Sequence, residues 1–472
     1  MLIRGQRYRR SARVGAVALA VAVVGLVPGV GSAFAASPAG PLSGGSHFTL
    51  LATYHTNLRR SGYTASEKIS AAQAAGLHSL WTRAAGAALS GEAAVVNGVA
   101  YWGDWKGVEH ATAANGTDLW ATGLGTTTDR SCNPVTVGVA SSATVASVGT
   151  TQLLWTGTGN GMVAALNAST GQVVWETRVA PKVGGFVWSS PALYHGDIYI
   201  GVASFGDCPL VRGAVVQLDA LTGTIVNTFY TAPAGCVGAG VWASPAIDSS
   251  TNSVFVTTGN PSCTDTLGTA IVQLNASTLA LMGSWQIPAA QNVSDGDWGA
   301  TPTLFKAKIG GVSTPLVGGA GKNGVFYAFR RSALANGPIW QLQVAQGGDC
   351  PQCGQGSISP AAFDGHTLYV AGGQTTIAAS QCTGGLRAVD PATGTVKWQN
   401  CLAGDVLSPV GATPGLVFVT AGSQILCVAA QTGSQIWSFS DPTGYSFYGG
   451  PVVTAGVVYA GNLNGNMYAF TT

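Results

Sequence analysis

From about residue 93 to the C-terminus, short apolar runs alternate with polar turns. Gly98-Val99-Ala100-Tyr101-Trp102, Ser253–Val256, Val325–Phe329 and Val457-Val458-Tyr459-Ala460 are typical runs. Each is long enough for a strand and too short for a helix. The runs come in groups that close on one phrase. Ala165-Leu166-Asn167-Ala168-Ser169-Thr170-Gly171 leads to Trp175, and Ala388-Val389-Asp390-Pro391-Ala392-Thr393-Gly394 leads to Trp398. Val428-Ala429-Ala430-Gln431-Thr432-Gly433 leads to Trp437, and Gln217-Leu218-Asp219-Ala220-Leu221-Thr222-Gly223 leads to Asn227. Looser copies end at Trp120, Trp285 and Trp340. A unit of about 40–60 residues with four strand signals predicts a β-propeller, because one small sheet cannot bury both faces and radial stacking covers them.

Successive units start near Ala93, Thr144, Trp188, Trp242, Trp298, Ile358 and Leu407. The last three strands, near Val452, Val457 and Met467, lack a fourth. Leu80-Trp81-Thr82-Arg83 supplies it from the other end, which closes the ring and removes exposed edges. The expectation is an all-β, eight-bladed propeller of four-stranded antiparallel blades over residues 77–472, with seven blades if the first repeat is degenerate. Within the phrase, the Gly turns the third strand into the fourth and the Trp packs between sheets.

The first 35 residues read differently. Arg4, Arg7, Arg9, Arg10 and Arg13 precede the apolar run Val14–Val27, and Ala33-Phe34-Ala35 is a small-x-small cleavage site. This predicts an export signal, with the mature chain starting at Ala36 and residues 36–76 as an irregular lead-in. The apolar run is short for a membrane span, so none is expected after cleavage. Nine Cys in an exported chain read as disulfides with one left over, and Cys427, inside an apolar run, is the candidate free thiol. Cys350-Pro351-Gln352-Cys353 is followed by Gly354, so it is no haem attachment site and reads as a local disulfide, with a redox-active pair as the alternative. The net charge of +2 and the absence of a basic, aromatic-interleaved stripe exclude nucleic acid as the expected partner.

Residues that break the repeat are the functional candidates, since packing does not demand them. Trp188-Ser189-Ser190-Pro191, Trp242-Ala243-Ser244-Pro245 and Trp298-Gly299-Ala300-Thr301-Pro302 open blades three to five. Their Trp residues form either an aromatic wall for a flat ligand or packing that plugs the channel. Asn260, in Thr258-Gly259-Asn260-Pro261, is a hard-cation ligand or a turn residue. Asp297, in Ser294-Asp295-Gly296-Asp297, is a base at a channel mouth or a solvated loop carboxylate. Lys322, in Gly321-Lys322-Asn323-Gly324, brings positive charge to an anion or quinone, or is an exposed turn residue. His195 and His366 fall in turns and read as solvated.

Read in order, these breaks resemble the quinoprotein alcohol dehydrogenases, propeller enzymes that bind pyrroloquinoline quinone (PQQ). The polyvinyl alcohol dehydrogenase-like branch is the nearest. Val211-Arg212-Gly213, Gly238-Ala239-Gly240-Val241-Trp242, the Asn260 turn, Asp297 and Lys322 carry the likeness. The resemblance implies PQQ stacked on Trp242, with Trp188, Trp298 and Asn323 as further cofactor contacts. It implies Ca²⁺ on Asn260 and Asp207, Asp297 as general base and Lys322 polarising the quinone. The family's metal-binding Glu falls at Asp207 only with a shift of one residue, and its adjacent Cys pair is absent. The substrate implied is a small or polymeric alcohol, oxidised outside the cytoplasm, with electrons leaving to a separate acceptor and no haem. The alternative is a non-catalytic propeller acting as an extracellular binding or scaffold module.

Overall fold

The structure, a computed structural model, describes residues 48–264 and 266–472. The export signal expected at residues 1–35 lies outside them. Eight four-stranded antiparallel blades form the ring. The blade that joins the two ends of the chain pairs His78–Ala84 with Asn466–Thr471, followed inward by Val457–Gly461 and Val452–Thr454. The eight-blade expectation and the closing strand are thereby both met. Among the described residues no helix is long and apolar enough to cross a membrane.

The recurring phrase is a latch between blades. Gly171, Gly223, Gly394 and Gly433 all have φ near +70°, where a side chain is strained. A Cβ at each would also strike the ring of Trp120, Trp175, Trp340 or Trp398 in the blade before. Those indoles lie flat on the glycines and donate Nε1–H to backbone carbonyls of the next blade, as in Trp120 to Ala168 at 2.9 Å and Trp398 to Ala430 at 2.9 Å. Trp437 donates to Leu77 at 2.8 Å, carrying the latch across the ring closure. In blade three Asn227 stands in, its Nδ2 donating to Ser277 at 3.3 Å.

Four disulfides form: Cys132–Cys208, Cys236–Cys263, Cys350–Cys353 and Cys382–Cys401. Cys427 is the free thiol, fully buried, and burial pushes its pKa up to about 12. A thiol reagent is therefore expected to leave the native protein unlabelled and to modify one Cys per chain after unfolding without reductant. Mass spectrometry checks this, and labelling in the native state would contradict it.

The central channel is filled from the N-terminal side. Phe48–Ala52 pairs with the inner strand of blade two, Thr144–Val148. Residues 53–64 then follow the inner strands of successive blades. Ile247 donates N–H to Leu58, Leu304 to Arg59, Phe363 to Ser61 and Ala412 to Gly62. Arg60, fully buried, donates from Nε to Pro245 at 2.8 Å and from Nη2 to Pro191 at 3.1 Å. It also donates from Nη1 to Thr53 Oγ1 at 2.9 Å and to the Tyr54 carbonyl at 2.6 Å. This segment is a plug, and one polar side chain knits it to two blades.

Candidate functional site

Asp207, Asn260 and Lys322 sit in loops joining the second and third strands of blades three, four and five. All such loops emerge on one face of a propeller, and Asp297, leading into the inner strand of blade five, shares that face. A cavity of about 570 Å³ opens there and runs down the channel to Tyr54 of the plug. Trp188, Trp242, Asp207, Asn260 and Asp297 all line it.

Trp242 rests on a prepared surface. A Cβ on Gly299 would drive into the far edge of its indole, so only glycine allows the ring that position. Trp188 donates Nε1–H to the Ser204 carbonyl at 3.0 Å and stacks near Phe205 at a 15° interplanar angle. Trp298 departs from the expected aromatic wall. It is 0 % exposed and packs against Trp285, Tyr327 and Phe329, because blade five turns it away from the cavity into the seam with blade four.

Asp297 is held from two sides. Its Oδ1 accepts the Asn260 backbone N–H at 2.7 Å, and its Oδ2 lies 2.7 Å from Lys322 Nζ. Gly259 makes this approach possible, since a Cβ there would strike Asp297 Oδ1. Lys322 is buried and also reaches Asp295 Oδ2 at 2.7 Å. Burial raises the Asp297 pKa, while Lys322 opposes the rise. For Lys322 burial acts downward, but Asp297 and Asp295 outweigh it and hold the ammonium charged, with a raised pKa. The result is a fixed carboxylate that is more basic than usual, beside a permanent cation.

Asp207 is exposed, and its pKa is raised by partial burial and then by Asp295. Asn260 Nδ2 points to Asp207 Oδ2 at 3.5 Å, the outer limit of a hydrogen bond. Together they offer hard oxygen donors, the type that suits Ca²⁺ or a lanthanide. Among the described residues no group of three or more His, Cys, Asp or Glu forms a ready-made metal site. Asn323 departs from its expected role as a cofactor contact. It is buried, donates to the Gln291 carbonyl and to Tyr327 Oη, and does not line the cavity, because its amide is consumed in holding the Lys322 turn.

Sequence reasoning missed the inner end of the cavity. The residue opening each inner strand is Glu92, Ser142, Ser190, Ser244, Thr301, Ser359, Ser408 or Gly450, in blade order. In the first five blades these link into a collar. Glu92 N donates to Ser142 Oγ at 2.7 Å, Ser142 N to Ser190 Oγ, Ser190 N to Ser244 Oγ and Ser244 N to Thr301 Oγ1, the last three all at 2.9 Å. The Ser-Pro repeats carry the signal for this collar, and against them Glu92 is the one carboxylate.

A polyvinylalcohol dehydrogenase from Sphingopyxis sp. (strain 113P3) is 26 % identical over 368 residues, covering 63 % of this chain and 55 % of that protein. The chain thus spans about half the length of this curated relative. A quinohemoprotein alcohol dehydrogenase from Comamonas testosteroni shares the fold with a TM-score of 0.71 at 18 % identity, over 89 % of this chain and 80 % of that one. A europium-containing methanol dehydrogenase shares it with a TM-score of 0.69 at 15 % identity, over 90 % and 98 %. The family whose repeats match residues 106–295 and 331–472 spans most of the ring, and the chain belongs to it: PQQ_2, described as outer membrane protein assembly factor BamB.

Proposed function

We propose that the chain is an exported quinoprotein alcohol dehydrogenase that oxidises an alcohol with PQQ and Ca²⁺ and hands electrons to a separate acceptor. In this reading residues 1–35 are the export signal and residues 77–472 the catalytic propeller. The disulfides and the dehydrogenase relatives support it. One observation carries it: an indole laid on glycine, two hard oxygen donors and a lysine-clamped carboxylate converge on one cavity.

A flat cofactor would be held against Trp242, and Asp207 with Asn260 would hold the cation. When bound, PQQ supplies the electron-accepting carbonyl that this chain's side chains lack. Asp297 takes the proton of the substrate hydroxyl, since each of its oxygens keeps a second lone pair beyond its present partner. Lys322 keeps Asp297 in place and brings positive charge to the side of the cavity where negative charge develops. Trp188 and Phe205 add apolar wall to the same cavity.

The test is a calorimetric and absorbance titration of the mature protein with PQQ, with and without Ca²⁺, repeated with Eu³⁺. Saturable, cation-dependent binding is expected, weakened at least about tenfold in Trp242→Ala and in Asn260→Ala. Absence of saturation in the wild type with every cation would end this reading. A second reading, a non-catalytic propeller, is favoured by one feature: Lys322 already pairs with both Asp295 and Asp297. It predicts no PQQ binding in the same titration.

A further inference from the structure

Glu92 stands where the other collar positions carry hydroxyls or Gly450. It is 5 % exposed and lines the inner end of the cavity. Its Oε2 accepts the His55 backbone N–H at 2.7 Å. Its Oε1 occupies the space that a side chain on Gly450 would need. Glu92 also lines a second, smaller cavity of about 10 Å³, together with His55, Gly62, Thr64 and Pro451. That is room for one water. His55 is 2 % exposed and its Nε2 lies 3.0 Å from the Val410 carbonyl. A carbonyl only accepts, so Nε2 carries the ring proton and Nδ1 is an acceptor. Nδ1 is buried and has no partner in the protein.

We infer that Glu92, held in place from behind by the His55 backbone, takes up protons released in the main cavity and returns them to the water of that cavity. The inference rests on the dehydrogenase reading. Oxidation of an alcohol to a carbonyl releases two electrons and two protons. The electrons leave one at a time to two equivalents of a one-electron acceptor, and both protons must then leave the cavity. A Glu92 carboxylate takes one, becomes the carboxylic acid, and gives it to water that enters the open main cavity once the product has left. The second proton follows the same route once Glu92 is ionised again.

The groups facing Glu92 suit the task. They are Tyr54, His55 and Arg60 from the plug, with Tyr448 on the segment leading to Gly450. Burial raises the Glu92 pKa to about 7, with the His55 N–H and Arg60 opposing. Burial lowers that of His55 to about 4, so the imidazole stays a neutral acceptor. Glu92 therefore exchanges protons near neutral pH while its neighbours keep fixed charge states.

Glu92→Gln keeps the acceptor for the His55 N–H and cannot carry a proton. Glu92→Ser restores the collar's own residue. In dye-coupled turnover both are expected to lower kcat at least about tenfold, with PQQ affinity near wild type and the pH limb near neutrality gone. A second readout needs no cofactor. In infrared difference titration of the apo-protein, a protonated-carboxyl band is expected to disappear with a midpoint near pH 7. Glu92→Gln should remove this band and leave that of Glu109, whose buried carboxyl has a pKa raised far above its ordinary value.

Stability supplies the sign. A carboxyl whose pKa is raised on folding stabilises below its unfolded pKa and loses that contribution as pH rises through about 7. Glu92→Gln should abolish this loss. It should leave the opposite slope from His55, whose contribution fades as pH falls from 6.5 toward 4. A wild type that is active with PQQ, beside variants with unchanged kcat and pH profile, overturns the proton path alone. A wild type that binds no PQQ overturns the dehydrogenase reading and the proton path with it.

Discussion

Asp297→Asn is expected to lower kcat by about 100- to 10,000-fold, the range for loss of a positioned general base. PQQ affinity and the unfolding midpoint should stay near wild type. The asymmetry follows from the contacts. An Asn at this position keeps an oxygen for the Asn260 N–H, now made at 2.7 Å, so the turn that presents Asn260 survives. Lys322 keeps a counter-ion, because Asp295 Oδ2 lies 2.7 Å from its Nζ. What disappears is the ability to hold a proton at the cavity wall. Asp295→Asn is the control. It removes one Lys322 partner while leaving the Asp297 pair, also 2.7 Å, and should cost far less in kcat. Dye-coupled steady-state kinetics with calorimetry on the same preparations separates the outcomes. Wild-type turnover in Asp297→Asn would remove it from the catalytic role and point to another base, with Tyr54, Glu92, Asp207 and Tyr448 the other titratable groups lining the cavity.

The parts of this molecule that were legible in the sequence are those that repeat. The Gly–Trp phrase recurs because each blade needs the same latch, so the ring, its blade count and its closing strand follow from pattern alone. Departures from the repeat singled out Asp297, Asn260 and Lys322, and the fold brings those three together. Trp298 misled because it shares sequence context with Trp188 and Trp242. The residue behind it decides: Gly299 makes room for Trp242, and Trp298 itself fills the seam between blades. Asn323 misled because it shares the turn of the candidate Lys322, although its amide serves the turn.

The plug was illegible for a different reason. Residues 53–64 have no strand or helix period, and a polar, Arg-containing stretch ordinarily reads as a solvated loop. Their conformation also runs against local preference. His55, Thr56 and Arg60 all have positive φ, which a free segment would avoid. The surrounding inner strands impose it by donating N–H groups to the plug backbone and offering carbonyls to the Arg60 side chain. No local sequence pattern announces those groups, because backbone donors and acceptors are the same in every blade.

Arg60→Ala puts that account at risk. The guanidinium donates to Pro245, Pro191, Thr53 and Tyr54, and burial lowers its pKa only to about 10, so it stays charged at neutral pH. Truncation would leave those acceptors buried without a donor and open a hole at the centre of the ring. The expected loss is about 3–5 kcal/mol, because each buried acceptor left without a donor costs about 1–3 kcal/mol. Arg60→Lys should recover only part of it, since one ammonium cannot span carbonyls on blades three and four that the planar fork reaches together. Urea unfolding at neutral pH measures the difference, and limited proteolysis within residues 53–64 reports whether the plug itself loosens. An unchanged midpoint in Arg60→Ala would mean that the inner strands hold the segment through backbone pairing alone. If the plug does loosen, Tyr54 goes with it. The inner end of the cavity, and with it the wall that Glu92 shares with His55, would then lose definition before the blades themselves unfold.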